Sequence, residues 1–282
     1  MKNVLITGAN GQLGTELGKI MPAAILTAHS DLDITDKSAV DDFVRKNQVD
    51  TIVNCAAYTA VDAAEDDYVN ARKINSDGPY NLAKTGCKII QISTDYVFDG
   101  IRTAKNLNGC KTDAVPNPQS VYGWTKRMGE TAVLNNNKNG IVIRTSWLYS
   151  PYGKNFVKTM RNLGANKPEI SVVDDQFGSP TYAADLAAAI VQIIPQMTEK
   201  NAGIYHYSND GFATWCTFAR EIMNFSGLKC RVNRIYSHQY PTRAVRPKWS
   251  VLDTSKTKQT FGIKIPDWRN ALNRCIIEIE RQ

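Results

Sequence analysis

Val4-Leu5-Ile6-Thr7-Gly8-Ala9-Asn10-Gly11-Gln12-Leu13-Gly14 decides how the rest of the chain is read. The apolar run Val4 to Thr7 has the length and composition of a buried strand. It runs into three glycines spaced G-x-x-G-x-x-G, and a helix is predicted from Gln12 to about Ile20. A strand, a glycine loop and a helix N-terminus in that order form a phosphate cradle. Glycines let the backbone approach a pyrophosphate, and the helix dipole favours the anion. The spacing differs from the common G-x-G-x-x-G dinucleotide fingerprint, so the context carries the reading rather than the glycines alone.

Outward from this loop, strands and helices alternate. Ala24-Ile25-Leu26-Thr27-Ala28 is a second predicted strand, followed by Asp31 and Asp33. An acid about 20 residues beyond such glycines faces the adenosine end of a dinucleotide. With no Arg nearby to meet a 2′-phosphate, NADH and NADPH both remain open. Thr35 is the predicted N-cap of a helix over 36–47. Asp50-Thr51-Ile52-Val53-Asn54 is a third strand, and the small residues Cys55-Ala56-Ala57 after it leave room for a ligand. A helix-like stretch over 68–85 precedes a fourth strand, Lys88-Ile89-Ile90-Gln91-Ile92-Ser93-Thr94. The alternation predicts an α/β fold with a Rossmann-like doubly wound parallel sheet.

Such sheets bind ligands beyond the carboxyl ends of their strands, which is where Thr94 falls. A Pro-containing loop (Pro116, Pro118) then leads to Ser120-Val121-Tyr122-Gly123-Trp124-Thr125-Lys126. On a helix, Tyr122 and Lys126 share a face. A cation beside a phenol favours its ionised form, which suits a tyrosine that passes protons. The spacing alone is weak, because Tyr80 and Lys84 repeat it. Tyr80, however, precedes the fourth strand, within a helix expected to pack on the sheet. Tyr122 follows that strand, and this ordering selects it.

Composition bounds the alternatives. The chain has 282 residues, ample for a large core, with ordinary globular usage and no apolar run of membrane-spanning length. The apolar segment at residues 4–6 is too short for a signal-peptide core, so a cytoplasmic location is expected. Six scattered Cys without a C-x-x-C read as reduced thiols, and three isolated His give no metal-site spacing. The net charge of +7 lies in the second half, where residues 229–258 carry eight basic side chains against Asp253 alone. No nucleic-acid-binding motif accompanies this patch. An anionic small ligand held by Arg243 or Arg246, in a loop bounded by Pro241 and Pro247, is the functional reading; a solvated basic face is the plain one.

Taken together, the motifs resemble the extended short-chain dehydrogenase/reductase superfamily. Within it the chain is similar to the dTDP-4-dehydrorhamnose reductases over nearly its whole length. The resemblance rests on residues 8–14, Leu32-Asp33-Ile34, 54–59, Ser93-Thr94-Asp95-Tyr96-Val97-Phe98-Asp99-Gly100, Tyr122-Gly123-Trp124-Thr125-Lys126, 144–149, Asp175-Gln176-Phe177-Gly178-Ser179-Pro180-Thr181 and Arg246-Pro247, in this order. It implies that Thr94, Tyr122 and Lys126 are catalytic. It implies that Gly8, Asn10, Gly11, Gln12, Leu13, Gly14, Asp33, Ile34, Cys55, Ala56, Ala57, Tyr122 and Lys126 bind NADPH or NADH, with Asn75 ordering water behind Lys126. Thr94, Asp95, Tyr96, Trp147, Gln176 and Arg246 would contact a nucleotide-sugar substrate, Trp147 as a wall of the sugar pocket.

The implied reaction is NAD(P)H-dependent reduction of the C4 ketone of dTDP-4-dehydro-6-deoxy-L-mannose to dTDP-L-rhamnose. Residues 1–148 would be mainly dinucleotide-binding. Residues 149–282 would form a smaller α+β substrate-binding domain, part of it returning to the sheet. Helices are predicted there over 155–163, 182–194, 214–225 and 266–280, and a strand over 203–207.

Departures from the family pattern narrow the reading further. Cys55 stands where Ala is usual. The acidic positions that bind Mg2+ between subunits in some members are half matched: Glu16 fits, but the second site reads Ala183-Ala184-Asp185. A homodimer is compatible with this, a metal-bridged one is not expected. The Asp-Glu pair of the related dehydratases is absent, since Asp95 is followed by Tyr96. Two other readings stay open: a 4-ketoreductase that makes a different nucleotide sugar, and a non-catalytic regulatory subunit resembling the methionine adenosyltransferase beta subunit.

Overall fold

A computed structural model describes residues 3–282. Six parallel strands form the central sheet: β1 (Val4–Thr7), β2 (Ile25–Thr27), β3 (Thr51–Asn54), β4 (Lys88–Thr94), β5 (Ile141–Thr145) and a last strand, Gly203–His206. Their spatial order is Gly203–His206, β5, β4, β3, β1, β2. β1 lies between β2 and β3, so the winding reverses direction there. A crevice opens at such a switch point, outside the carboxyl ends of the strands. β1, β3 and β5 are buried throughout, as expected of parallel strands covered on both faces.

Side chains tie those carboxyl ends together. The Thr7 hydroxyl donates to Asn54 Oδ1 at 2.5 Å, and Asn54 Nδ2 donates to Gln91 Oε1 at 2.7 Å. This bridges β1, β3 and β4 beneath the crevice. One apolar layer, including Leu13, Leu17, Leu186 and Ile190, packs on one face of the sheet; another, including Val40, Leu82 and Val133, packs on the other.

A smaller lobe pairs the strands Glu169–Val173 and Arg231–Ile235 in parallel and packs the helices Phe156–Asn166, Trp215–Phe225 and Trp268–Glu280 around Phe218 and Trp268. Among the described residues, no helix is long and apolar enough to cross a membrane.

Two local expectations are corrected. The helix after β2 spans Lys37–Lys46, and its N-cap is Asp36, whose carboxylate accepts from Ala39 N at 3.0 Å. Thr35 is not the cap because its hydroxyl donates to Asp33 instead, at 2.8 Å. The stretch 68–85 is not one helix. It comprises Tyr68–Arg72, a π-helical turn Lys73–Asp77 and Gly78–Lys84. The turn brings Asn75 against the later helix Val121–Asn136, where Gly129 faces the Asn75 carbonyl so closely that a Cβ would not fit.

Candidate active site

The glycine loop leaves β1 with Gly8 at φ +66°, a left-handed value, and a Cβ there would lie 2.6 Å from Ala56 N. Only glycine satisfies both demands. Gly11 then caps the helix Gln12–Ile20 with no side-chain hydrogen bond and no acid in the first turn. The first amides of this helix are left facing outward with the positive end of the dipole. An anion fits here, and the methyl-sized Ala56 and Ala57 line the space beside it.

The helix Val121–Asn136 starts where Ser120 accepts from Gly123 N at 3.2 Å. That cap sets Tyr122 in the first turn and Lys126 one turn on. Both face a cleft of about 770 Å³ that runs from the glycine loop to the end of β4. The cleft is lined by Gly8, Gly11, Gln12, Leu13, Gly14, Asp33, Ile34, Cys55, Ala56, Ala57, Thr94, Asp95, Tyr96, Tyr122, Lys126 and Trp147. Three predicted site residues do not border it. Asn10 is exposed on the loop, Gln176 donates to Ser237 Oγ at 3.0 Å, and Arg246 reaches the cleft only by donating to the Tyr96 hydroxyl at 2.9 Å. The competing pair Tyr80/Lys84 lies away from the cleft, with Tyr80 exposed.

The electrostatics differ from the expectation of a phenol facing a cation. Burial pushes the Tyr122 phenol up, and the Thr94 hydroxyl offsets this in part. Lys126 is turned toward β4, donating to the Ile92 carbonyl at 2.6 Å. Burial lowers its ammonium to about 8, with the Glu130 carboxylate, one turn further along, pulling it back up. Glu130 is itself fixed by Arg144, bonded at 2.7 and 2.8 Å, and by Ser93 at 2.7 Å. Tyr122 is therefore a protonated phenol, and Lys126 a cation close to its titration point at neutral pH.

Asn75 holds its place through Tyr58, whose amide donates to Oδ1 at 2.9 Å, and through its own donation to Thr125 Oγ1 at 3.1 Å. Asp95 is buried beside Thr94, whose hydroxyl donates to its Oδ1 at 3.1 Å; its Oδ2 has no hydrogen-bond partner.

The two acids after β2 part company. Asp33 borders the cleft, while Asp31 folds back to accept from Ala28 N at 2.8 Å. Glu16 is buried and accepts from Ser150 Oγ at 2.9 Å, and Asp185 is gripped by Arg274 at 2.6 and 2.8 Å.

Comparison with known proteins extends the pattern to the whole chain. The family model described as the RmlD substrate binding domain matches residues 1–281. A dTDP-4-dehydrorhamnose reductase of Sinorhizobium fredii is 40% identical over 286 residues, covering 96% of this chain and 95% of that one. The chain belongs to the dTDP-4-dehydrorhamnose reductase family.

Solved members share its architecture. The Clostridium acetobutylicum dTDP-4-dehydrorhamnose reductase superimposes with a TM-score of 0.93 at 41% identity, over 99% of each chain. The Bacillus anthracis dTDP-4-dehydrorhamnose reductase, determined in complex with NADP, gives 0.93 at 40% identity, over 99% of this chain and 100% of that chain.

Against this background the cleft contains residues that the sequence reading did not single out. Gly153, Lys154 and Asn155 border it from the second half, with Asn155 Nδ2 donating to Gln12 Oε1 at 3.0 Å. Leu32, Thr59 and Ser146, which stand in the quoted motifs without an assigned role, also line it. The signal for the first group is Pro151-Tyr152-Gly153, a turn-forming run one residue after the short strand Leu148–Tyr149.

Proposed function

We propose that this chain is an NAD(P)H-dependent oxidoreductase that reduces the C4 ketone of dTDP-4-dehydro-6-deoxy-L-mannose to dTDP-L-rhamnose. The observation that carries the reading is the meeting of Thr94, Tyr122 and Lys126 in the cleft that the glycine loop enters. Bound NAD(P)H supplies the hydride. The residues of the chain supply the rest.

The Tyr122 phenol, kept protonated by burial, gives its proton to the C4 oxygen as negative charge develops there. Thr94, at the end of β4, turns its hydroxyl from Asp95 Oδ1 to the same oxygen. Lys126, fixed to the Ile92 carbonyl, holds the nicotinamide ribose with its ammonium. The amides that open Gln12–Ile20, together with Gly8, Gly11 and Gly14, hold the cofactor's pyrophosphate, with Asn10 on the outer side of the loop. Asp33 and Ile34 flank its adenosine end, with Cys55, Ala56 and Ala57 as the floor.

Asp95, Tyr96 and Trp147 face the nucleotide sugar in this reading, and Gln176 and Arg246 join them by leaving Ser237 and Asp62, to which they donate. Residues 1–148 act mainly on the cofactor and residues 149–282 mainly on the substrate. The work is done in the cytoplasm.

The test is a turnover assay with the keto sugar, following the loss of reduced-nicotinamide absorbance and identifying the product by NMR. Consumption of cofactor with formation of dTDP-L-rhamnose supports the reading. A different C4 configuration points to another 4-ketoreductase. No turnover with either cofactor points to the regulatory-subunit reading.

A further inference from the structure

Trp147 has φ +47°, a left-handed value that bulky side chains rarely adopt. The other described non-glycine residues with positive φ, Asn3 and Gln48, are polar and exposed. Trp147 instead borders the cleft, two residues beyond the end of β5. A strained backbone persists only where its surroundings over-determine it.

Those surroundings can be named. The Trp147 indole stacks on Trp215, with ring centroids 3.5 Å apart and planes 7° from parallel. Gly178 comes so close that a Cβ there would lie 2.5 Å from Trp147 Cε2 and 2.6 Å from Nε1. The Trp147 carbonyl accepts from Thr181 N at 3.2 Å. Trp215 does not border the cleft. It is the first residue of the helix Trp215–Phe225 and rests on Phe156 at 4.6 Å. Its helix is pinned by Thr214, which caps it by accepting from Thr217 N at 3.0 Å and donates to Asp174 Oδ1 at 2.5 Å.

We propose that Trp215 and Gly178 are positioning residues that preset the Trp147 indole as a rigid wall for the sugar ring of the substrate. The proposal rests on the reading of the cleft as a nucleotide-sugar site. It assigns the shape of that wall to the small lobe, through a residue the substrate does not touch. Trp215 supplies a flat, fixed face, and Gly178 leaves the indole room to lie on it. A wall fixed before binding costs no ordering when the sugar arrives. Without Trp215 the backbone strain has less to oppose it, and the indole is free to leave its place.

The test compares Trp215→Ala, Trp215→Phe and Gly178→Ala with wild type. Stacked indoles couple electronically, so the near-ultraviolet circular dichroism of the wild type should carry a paired band that Trp215→Ala loses. In the same variant KM for the keto sugar should rise roughly 10-fold or more, the scale of a lost apolar contact. The cofactor KM and kcat should stay within about 3-fold of wild type, the pattern of lost ground-state binding.

Trp215→Phe keeps a flat ring and should recover most of the sugar KM. Gly178→Ala should weaken the paired band and raise the sugar KM with Trp215 intact. A lost paired band with the sugar KM unchanged would overturn the proposal, as would equal effects on cofactor and sugar KM. A wild type without turnover of the keto sugar would instead sink the functional reading on which it rests.

Discussion

Arg246 in the second half of the chain closes on Asp62 in the first, with its Nη2 donating to Asp62 Oδ2 at 2.5 Å. Asp62 Oδ1 accepts from Ala244 N at 3.0 Å, and Arg243 pairs with Asp66 at 2.6 Å. The basic segment 229–258 is therefore not a free anion surface. Its charges also meet Asp174 and Asp210, carboxylates that precede the segment in sequence and that the fold carries to it.

For Arg246 this means that a substrate diphosphate must compete with a carboxylate already in place. Arg246→Ala should raise KM for the nucleotide sugar by roughly 10- to 100-fold, the scale of a lost charged hydrogen bond. Asp62→Asn should lower that KM and steepen the salt dependence of kcat/KM, because the guanidinium is no longer neutralised. Steady-state kinetics at several ionic strengths decide it. If both variants keep the wild-type sugar KM and salt slope, the Arg246–Asp62 pair only joins the two halves, and the diphosphate is held elsewhere.

Tyr122→Phe should lower kcat by roughly 10²–10⁴-fold, the usual loss when a general acid is removed. Cofactor affinity should change little, as measured by fluorescence titration. Tyr80→Phe is the control. Tyr80 is 40% exposed and outside the cleft, so its phenol has no access to the reacting oxygen. A Tyr122→Phe enzyme with near wild-type kcat would remove Tyr122 from the mechanism.

The contrast between Tyr122 and Tyr80 shows what could be read from sequence. Identical spacing left the two equal, and the strand each one precedes or follows separated them. The glycine loop was legible because strand, turn and helix signals fall within eleven consecutive residues, from Val4 to Gly14. The π-helical turn at Asn75 was not, because it depends on Gly129, 54 positions later, meeting the Asn75 carbonyl. Thr35 and Asp36 are both capping residues, and only the fold shows Asp33 claiming the Thr35 hydroxyl. The helical spacing of Tyr122 and Lys126 could not show that Lys126 reaches the Ile92 carbonyl, which needed the register of β4. Charge counting around Arg246 could not show its pairing with Asp62, which lies 184 positions away.

Lys126 sets an alkaline limit. Burial lowers its ammonium to about 8. As pH rises through that value the free enzyme loses the cation that would meet the cofactor. The kcat/KM for NAD(P)H, which reports free-enzyme ionisations, should therefore fall above about pH 8. Lys126→Met should abolish that limb and weaken cofactor binding at pH 7. A limb that persists in Lys126→Met would belong to another group.

Asp33 tests cofactor choice. Its Oδ1 accepts from both Thr35 N and Thr35 Oγ1, at 2.9 and 2.8 Å, so the acid is held toward its own turn. Like charge still disfavours a 2′-phosphate, but from a fixed position. Both cofactors should be used, with kcat/KM values within roughly 10³-fold, or about 4 kcal/mol. Asp33→Asn should shift the ratio toward NADPH. A larger wild-type preference would show that one residue near the adenosine end discriminates strongly.

Asp95 provides a prediction that does not depend on turnover. Asp95 as a residue is 2% exposed, and its buried Oδ2 is unpartnered. Burial raises its pKa to about 6, and the Ser250 and Thr94 hydroxyls only partly offset the rise. In the unfolded chain an Asp titrates near ~4. The folded state therefore binds more protons between about pH 4 and 6, and the stability contributed by the protonated acid is lost as pH rises through about 6. Above that the protein keeps a buried carboxylate at a cost on the order of 1–3 kcal/mol. Asp95→Asn retains an oxygen for the Thr94 hydroxyl and carries no charge. It should raise stability by about that amount at pH 7.5 and by little at pH 4, measured by urea denaturation at the two pH values. An equal effect at both would show that the gain comes from packing or hydrogen bonding and that the buried charge is not the cause.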